Sequence, residues 1–138
     1  MIVDASVILS AFFPDENQPH AQALLRDHAA GYASLAAPDL LLYEVTNAVL
    51  LAARRGRLSS GDAEGILSAI EGLGIALFPV AWRDMLPLAL RYDRSAYDAA
   101  YLALAQSRGE PLVTNDLRLH NAVRGELDWV LRLGEGGG

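Results

Sequence analysis

Cysteine and lysine are both absent from this sequence of 138 residues. Without cysteine, the chain can form neither a disulfide nor a thiolate metal site. No apolar run approaches the roughly 18–20 residues that span a bilayer. The start, Met1-Ile2-Val3-Asp4, has no basic leader and carries an acid at the fourth position. We therefore expect no secretory signal, no membrane partner and a cytoplasmic protein.

Several familiar motifs are missing as well. The sequence contains neither an HExxH pair nor a GxGxxG or GxxxxGK(S/T) loop, which argues against a zinc peptidase and against a nucleotide cofactor. The three histidines have no metal-ligand spacing, and we expect His20 and His28 to be solvated helix residues.

The charge balance is acidic, with a net charge of −6 at pH 7. This value argues against a nucleic-acid partner, because such domains usually carry a basic surface. Yet all eleven basic residues are arginine, which binds phosphate through two parallel hydrogen bonds better than lysine does. Bound cations would also reverse the sign of the electrostatic field around a group of acids. Arg54, Arg55 and Arg57 cluster at a predicted helix end, as a solvated face or as a contact for RNA phosphate. Charge alone leaves the partner open.

The distribution of apolar residues indicates an α/β fold. Residues of the AVILMFWYC set make up 52% of the chain, enough to fill the core of one domain. Short apolar strands alternate with helices, which predicts a central parallel sheet in a three-layer α/β/α sandwich. We expect a single domain over residues 1–133 and a disordered glycine-rich tail over 134–138. The predicted strands are 2–4, 32–37, 75–80, 111–114 and 128–131, and the predicted helices are 6–13, 19–30, 39–55, 59–73, 82–92, 95–108 and 116–123.

Two acids follow predicted strands. Asp4 ends the first strand, and Asp116 lies two residues beyond Thr114, where the fourth strand ends. In open parallel sheets the ligand crevice lies beyond the carboxyl ends of the strands, so both side chains should point into it. The alternative is that each acid only caps a helix, although we expect Ser6 to cap the first one.

Glu44 falls on the apolar face of the third predicted helix. It lies three residues after Leu41 and four before Ala48, on the stripe that should face the core. A lone carboxylate buried there would be desolvated and forced to take up a proton. Glu44 therefore belongs to a charged site, or it lies at the edge of the stripe with its carboxylate in water.

Asp98 is the only charged residue between Ala96 and Ala105, in a helix that is apolar on every side and should be buried. One explanation is local, because Ser95 and Asp98 have the spacing of a capping box. The other is a metal site, and a helix start that faces the crevice can serve both purposes.

Taken together, the four acids indicate a metal site. Clustered carboxylates raise one another's pKa and oppose ionisation, so such a group is tolerable when divalent cations neutralise it. Oxygen ligands without Cys or His favour Mg²⁺ or Mn²⁺ over zinc. Such ions can ionise a water, align it with a phosphodiester and screen the leaving oxygen.

Four segments together resemble the PIN domain, and more narrowly the VapC toxins of bacterial and archaeal toxin–antitoxin modules. The similarity runs from Met1 to about Leu131, in the family's order and spacing. Each segment alone is a weak signal, whereas four in order are strong. The matching segments are Asp4-Ala5-Ser6, Glu44-Val45-Thr46-Asn47-Ala48, Tyr97-Asp98-Ala99-Ala100-Tyr101-Leu102-Ala103-Leu104-Ala105 and Leu112-Val113-Thr114-Asn115-Asp116.

The resemblance implies a five-stranded parallel sheet and Mg²⁺-dependent endonucleolytic cleavage of RNA, leaving a 5′-phosphate and a 3′-hydroxyl. It also implies a homodimer and a cognate antitoxin whose tail lies across the active-site groove. The catalytic and metal-binding acids that it assigns are Asp4, Glu44, Asp98 and Asp116.

Three further residues gain a role from the resemblance. Ser6 and Thr114 match small hydroxyl residues that orient acids or bound water, and Asn47 matches a frequent neighbour of the acids. Some relatives carry a further acid just after the last segment. Arg118 and His120 stand there instead, so a fifth metal carboxylate is not expected.

The third helix and those after it carry more apolar residues than one core-facing stripe needs. We expect the surplus to form a homodimer interface and a groove for an amphipathic antitoxin segment that presents Arg or Lys to the acids. The residues concerned are Leu40, Leu41, Leu42, Val45, Val49, Leu50, Leu51, Leu58, Ile66, Leu67 and Ile70.

Other functions remain possible at this stage. A Mg²⁺-dependent phosphatase would need a second Asp where Ser6 stands, and a phospho-accepting receiver domain would need a lysine at a strand end. A PIN-like domain that only binds protein or RNA is a third alternative, although such domains usually lose some of the acids.

Overall fold

The computed structural model describes residues 1–135, in which five strands alternate with seven helices. The strands are β1 (Ile2–Val3), β2 (Ala36–Pro38), β3 (Ala76–Phe78), β4 (Leu112–Thr114) and β5 (Val130–Arg132). The helices are α1 (Ala5–Phe12), α2 (Pro19–Ala29), α3 (Leu40–Arg54), α4 (Ser60–Gly72), α5 (Trp82–Tyr92), α6 (Ala96–Arg108) and α7 (Leu117–Val123).

The strands form one parallel sheet in the order β3-β2-β1-β4-β5. From β1 the chain winds outward through β2 to β3, then crosses back to β4 and winds the other way to β5. The direction of winding therefore reverses between β1 and β4, where Ile2 pairs with Leu112 and Val3 with Val113. A crevice opens beyond the carboxyl ends of the strands at such a reversal. The topology thus places β1 and β4 at the centre of any site.

Helices cover both faces of the sheet. The right-handed rule for parallel crossovers assigns α1 to α4 to one face and α5 to α7 to the other, in agreement with the contacts of α1 with α2 and α3, of α3 with α4 and of α5 with α6. Helix α6 contacts β1, β2 and β4, and every residue from Ala99 to Ala105 is buried, as its all-round apolar pattern predicts. The three-layer α/β/α sandwich with a five-stranded parallel sheet is confirmed. In the described part of the chain, no helix is long and apolar enough to cross a membrane.

Element boundaries differ from the sequence predictions mainly at strands. The strand predicted over 32–37 is Ala36–Pro38, and the one predicted over 75–80 is only Ala76–Phe78. The apolar runs extend beyond the strands, because their flanking residues lie in turns and loops. The predicted Ser6 cap of α1 is wrong, because Asp4 is the N-cap and accepts from the backbone N–H of Val7 at 3.3 Å.

The prediction that His28 is solvated is also wrong, whereas His20 is exposed as expected. The Nδ1 atom of His28 accepts from the backbone N–H of Leu35 at 3.0 Å, and Nε2 lies 2.7 Å from the carbonyl oxygen of Leu73. With Nδ1 as acceptor, Nε2 is the ring nitrogen that can donate to the carbonyl oxygen of Leu73. His28 thus connects α2 to the segment before β2 and to the end of α4.

Part of the tail predicted to be disordered is described. Within it, Glu135 donates its backbone N–H to the carbonyl oxygen of Arg132 at 2.9 Å, and its carboxylate lies 3.7 Å from His120 Nε2. Residues 136–138, the remainder of that predicted tail, lie outside the described residues.

Candidate active site

Asp4 lies directly after β1 and is 6% exposed. Each of its carboxylate oxygens accepts a hydrogen bond from a hydroxyl group: Oδ1 from Ser6 Oγ at 2.5 Å, and Oδ2 from Thr114 Oγ1. Ser6 belongs to the first turn of α1, and Thr114 ends β4. The carboxylate is therefore held across the seam between the two central strands.

The turn after β4 supports the same two hydroxyls. The backbone N–H of Asn115 donates to Ser6 Oγ at 2.8 Å, and that of Asp116 donates to Thr114 Oγ1 at 2.9 Å. Each carboxylate oxygen of Asp4 thus accepts a hydrogen bond from a hydroxyl group that is itself oriented by a backbone N–H. This double relay, formed by Ser6, Thr114 and the backbone of residues 115 and 116, fixes Asp4 in one orientation.

Burial raises the pKa of Asp4 to about 6. The hydroxyls of Ser6 and Thr114 and the N–H of Val7 oppose this rise, because they stabilise the ionised form, while the charge of Asp116 adds to it. An ionised Asp4 is therefore costly at neutral pH unless a positive charge lies beside it.

Asp116 is both a helix cap and a neighbour of Asp4. Its Oδ1 accepts from the backbone N–H groups of Arg118 at 2.9 Å and Leu119 at 3.3 Å, so it caps α7. Its charge also acts on Asp4 and on Asp98. The capping alternative is thus correct for Asp4 and Asp116, and it does not conflict with a place in the site.

Asp98 lies in the first turn of α6. Its backbone N–H donates to Ser95 Oγ at 3.0 Å, as the capping spacing predicts. The carboxylate lies 3.8 Å from Arg94 Nη1, and 29% of the side chain is exposed. Burial and the charge of Asp116 raise the pKa of Asp98, and Arg94 lowers it. The guanidinium of Arg94 thus provides a positive charge beside the Asp98 carboxylate.

Glu44 is half-buried on α3, and its Oε1 accepts from the hydroxyl of Tyr101 at 2.6 Å. Burial raises the pKa of Glu44, the Tyr101 hydrogen bond lowers it, and the charge of Asp98 raises it again. Glu44 therefore has a buried polar partner, which the sequence pattern did not identify.

These acids form a row in which each member acts electrostatically on the next. Within the described residues, no three Asp, Glu, His or Cys side chains lie close enough to hold one ion together. The arrangement is a chain of neighbouring pairs rather than a tight cluster. We call it the acidic row, in the order Glu44, Asp98, Asp116 and Asp4.

Among the other predicted site residues, Asn47 is exposed on α3, and the hydrogen bonds of the described residues include none from its side chain. Two residues beside the row were missed by sequence reasoning, Tyr101 and Arg94. Tyr101 could have been suspected, because it is the only residue with a polar side-chain atom in the otherwise aliphatic run from Ala99 to Ala105 and a buried hydroxyl needs a partner.

A row of carboxylates at the reversal of a parallel sheet can be compared with known families. The family described as PIN domain matches residues 1–125. The chain belongs to the PIN-domain family. The resemblance inferred from the four sequence segments is thereby confirmed.

The relatives of this PIN-domain chain include named ribonucleases. Ribonuclease VapC3 of Pyrobaculum aerophilum is 32% identical over 123 residues, which cover 86% of this chain and 91% of that protein. Ribonuclease VapC9 of Mycobacterium tuberculosis is 33% identical over 119 residues, covering 86% and 87%. The crystal structure of PAE2754 from Pyrobaculum aerophilum matches with a TM-score of 0.71 at 26% identity, over 96% of this chain and 89% of that one.

The surface of this PIN domain carries exposed apolar side chains, but not mainly where the sequence placed them. Most apolar residues named for an interface on α3 and α4 are buried or half-buried, and only Leu42 and Leu50 are exposed. Another exposed set lies on α5, where Trp82, Leu86 and Leu90 follow one another at helical spacing. We call these three residues the α5 stripe.

Proposed function

We propose that this chain is a divalent-metal-dependent endoribonuclease and the toxin of a toxin–antitoxin pair. The observation that carries the proposal is the acidic row at the sheet reversal, with Asp4 fixed by the double relay. The relatives named VapC ribonucleases support RNA as the substrate. We also propose that the chain acts in the cytoplasm, where cellular RNA is available as substrate.

The acidic row fits a hard divalent cation. Its donors are all carboxylate oxygens, the kind that Mg²⁺ and Mn²⁺ prefer. Burial and mutual repulsion raise the pKa values of Asp4, Glu44 and Asp98, so a cation would relieve an existing electrostatic cost. We assign the cation to this row of Asp4, Asp98, Asp116 and Glu44: neighbouring carboxylates of the row would ligate it, and water and the RNA phosphate would complete its coordination. Bound there, it would supply a nucleophilic water at neutral pH and screen the phosphate charge.

The chain's own residues prepare the site for that chemistry. Ser6 and Thr114 hold both oxygens of Asp4 in place, so little reorganisation is needed when RNA binds. Asp116 is fixed by the start of α7. Arg94, beside Asp98, offers a positive charge at the rim of the row that can attract a phosphate.

The purified chain should cleave single-stranded RNA in Mg²⁺ or Mn²⁺ and should be inactive in EDTA. Products should carry a 5′-phosphate and a 3′-hydroxyl, because an activated water attacks phosphorus and the 3′ oxygen leaves. Gel analysis of labelled RNA and 5′-end mapping of cellular RNA after brief expression measure this. Cleavage that persists in EDTA, or that leaves a 2′,3′-cyclic phosphate, would contradict the proposal, and binding without cleavage would favour a domain that only binds RNA or protein.

We further propose that the exposed apolar surface serves protein partners. The α5 stripe and the exposed Leu42 and Leu50 of α3 leave apolar area in water, which usually marks an interface. We assign part of this surface to a homodimer and part to an amphipathic antitoxin segment. An Arg or Lys of that segment would occupy the charge site of the acidic row and so block the cation.

Replacing Leu86 with arginine should weaken self-association, since it places a charge within the α5 stripe. Light scattering of the wild type and the variant would measure the dimer, with Leu117→Arg as a matched control at an exposed leucine outside the stripe. A wild-type chain that stays monomeric at high micromolar concentration would contradict the dimer. If both variants self-associate as strongly as the wild type does, the dimer interface lies outside the α5 stripe.

A further inference from the structure

Tyr101 lies in the middle of α6 with only 2% of its surface exposed. Its hydroxyl donates to Glu44 Oε1 at 2.6 Å, and the backbone N–H of Ala5 faces the hydroxyl oxygen of Tyr101. The ring therefore joins three elements: α6, which carries it, α3 through Glu44, and the first turn of α1 through Ala5. That turn follows Asp4 directly.

Packing alone does not account for the hydroxyl of Tyr101. Its neighbours along α6 are alanine and leucine, and a phenylalanine ring would fill the same volume without a buried polar atom. A buried hydroxyl costs free energy unless it is hydrogen-bonded. Its partner here is a carboxylate whose own burial is unfavourable. Two polar groups are thus retained together where an apolar pair would stabilise the fold at least as well.

We propose that Tyr101 is a positioning residue that holds Glu44 in the acidic row. This inference rests on the proposed function, because it assigns Glu44 to a bound cation. The hydroxyl binds Oε1 of a carboxylate on which the charge of Asp98 also acts. A glutamate side chain has three rotatable bonds, and fixing them in advance removes an entropic cost from cation binding. The same contact fixes the spacing between Glu44 and the helix start beside Asp4.

The test is Tyr101→Phe, which removes one oxygen and keeps the ring. We expect a loss of about tenfold in Mn²⁺ affinity, the scale at which residues that orient metal ligands act. The kcat for a labelled single-stranded RNA should fall by a similar factor at limiting Mn²⁺, while its KM changes less than about twofold. Tyr43→Phe is the matched control, since Tyr43 precedes Glu44 and is exposed. Calorimetric titration with Mn²⁺ measures the first effect without any reaction.

A double-mutant cycle with Glu44→Gln decides whether Tyr101 acts through Glu44. When Glu44→Gln is already present, adding Tyr101→Phe should change Mn²⁺ affinity less than about twofold. An equal loss with and without Glu44→Gln would overturn the proposal, because Tyr101 would then act on the fold alone. Wild-type Mn²⁺ affinity in Tyr101→Phe would overturn it as well.

Failure of the proposed function gives a different result. A chain that binds Mn²⁺ with the expected cycle but does not cleave RNA would refute the nuclease and keep the positioning role. A chain that does not bind Mn²⁺ refutes both.

If Tyr101→Phe does not melt cooperatively, Glu44→Asp replaces it: the carboxylate keeps its charge but is one methylene too short to reach Tyr101. Positioning predicts a loss of at least tenfold in Mn²⁺ affinity, and near-wild-type affinity would overturn it.

Discussion

Asp4→Asn should lower the rate of RNA cleavage more than about 100-fold, beyond the losses of residues that only support metal ligands. Asparagine keeps the size of the side chain and is an equally good helix cap, so α1 should remain intact. It can still accept from Ser6, while the Thr114 hydroxyl can turn to accept from the new amide. What is lost is one negative charge at the centre of the acidic row.

The matched control for this variant is Asp39→Asn. Asp39 follows β2 as Asp4 follows β1, yet its side chain makes no capping hydrogen bond and the residue is exposed. Initial rates on one labelled RNA in Mg²⁺, with circular dichroism to verify folding, give the comparison. Comparable losses in both variants would mean that general charge at this edge of the sheet matters, rather than the position of Asp4.

The second large effect concerns stability without metal. In EDTA, Asp4→Asn should become progressively more stable than the wild type as the pH rises from about 4 to 7. Because burial raises the pKa of Asp4 from 3.8 to about 6, the folded state binds this proton more strongly than the unfolded state does. In the wild type, the stabilisation from this bound proton is complete below the unfolded pKa and is lost as the pH rises through the folded pKa. The difference in free energy of unfolding between the variant and the wild type should therefore change by roughly 3 kcal/mol.

Urea unfolding at pH 4.5, 6 and 7.5 in EDTA would measure the difference between the two chains, so that other titrating groups cancel. Saturating Mn²⁺ should reverse the sign at pH 7.5, because a cation stabilises the ionised wild type and has less to bind in the variant. A difference that stays constant from pH 4.5 to 7.5 would contradict the prediction. A less stable variant at every pH would mean that the Asp4 carboxylate holds the fold together.

The strand-end acids could be predicted because their signals are local. Asp4 and Asp116 each follow a short apolar run, and the alternation of strands and helices places the carboxyl ends of parallel strands at one edge. Asp98 stood out for a similar reason, as one charge in an apolar helix. Such patterns depend on neighbours in the sequence, which is the range over which sequence reasoning is reliable.

The partners of these acids could not be predicted in the same way. Tyr101 meets Glu44 across 57 positions of sequence, and His28 reaches Leu73 across 45. Both contacts depend on how helices approach one another in three dimensions. An isolated tyrosine in an apolar helix has the same local pattern whether its hydroxyl meets a carboxylate or reaches water. The predicted strands are longer than the observed ones because apolar side chains also occur in exposed loops: Tyr32, in the loop before β2, is 85% exposed.

The seam between β1 and β4 also has a consequence for synthesis on the ribosome. Asp4 emerges among the first residues, but the hydroxyl of Thr114 and the backbone N–H groups of residues 115 and 116 follow more than a hundred residues later. A nascent chain can form β1, β2 and β3 and still lack half of what orients Asp4. A nascent chain that ends before Thr114 lacks the groups that orient Asp4, so we expect the proposed cleavage to begin only after β4 has been synthesised.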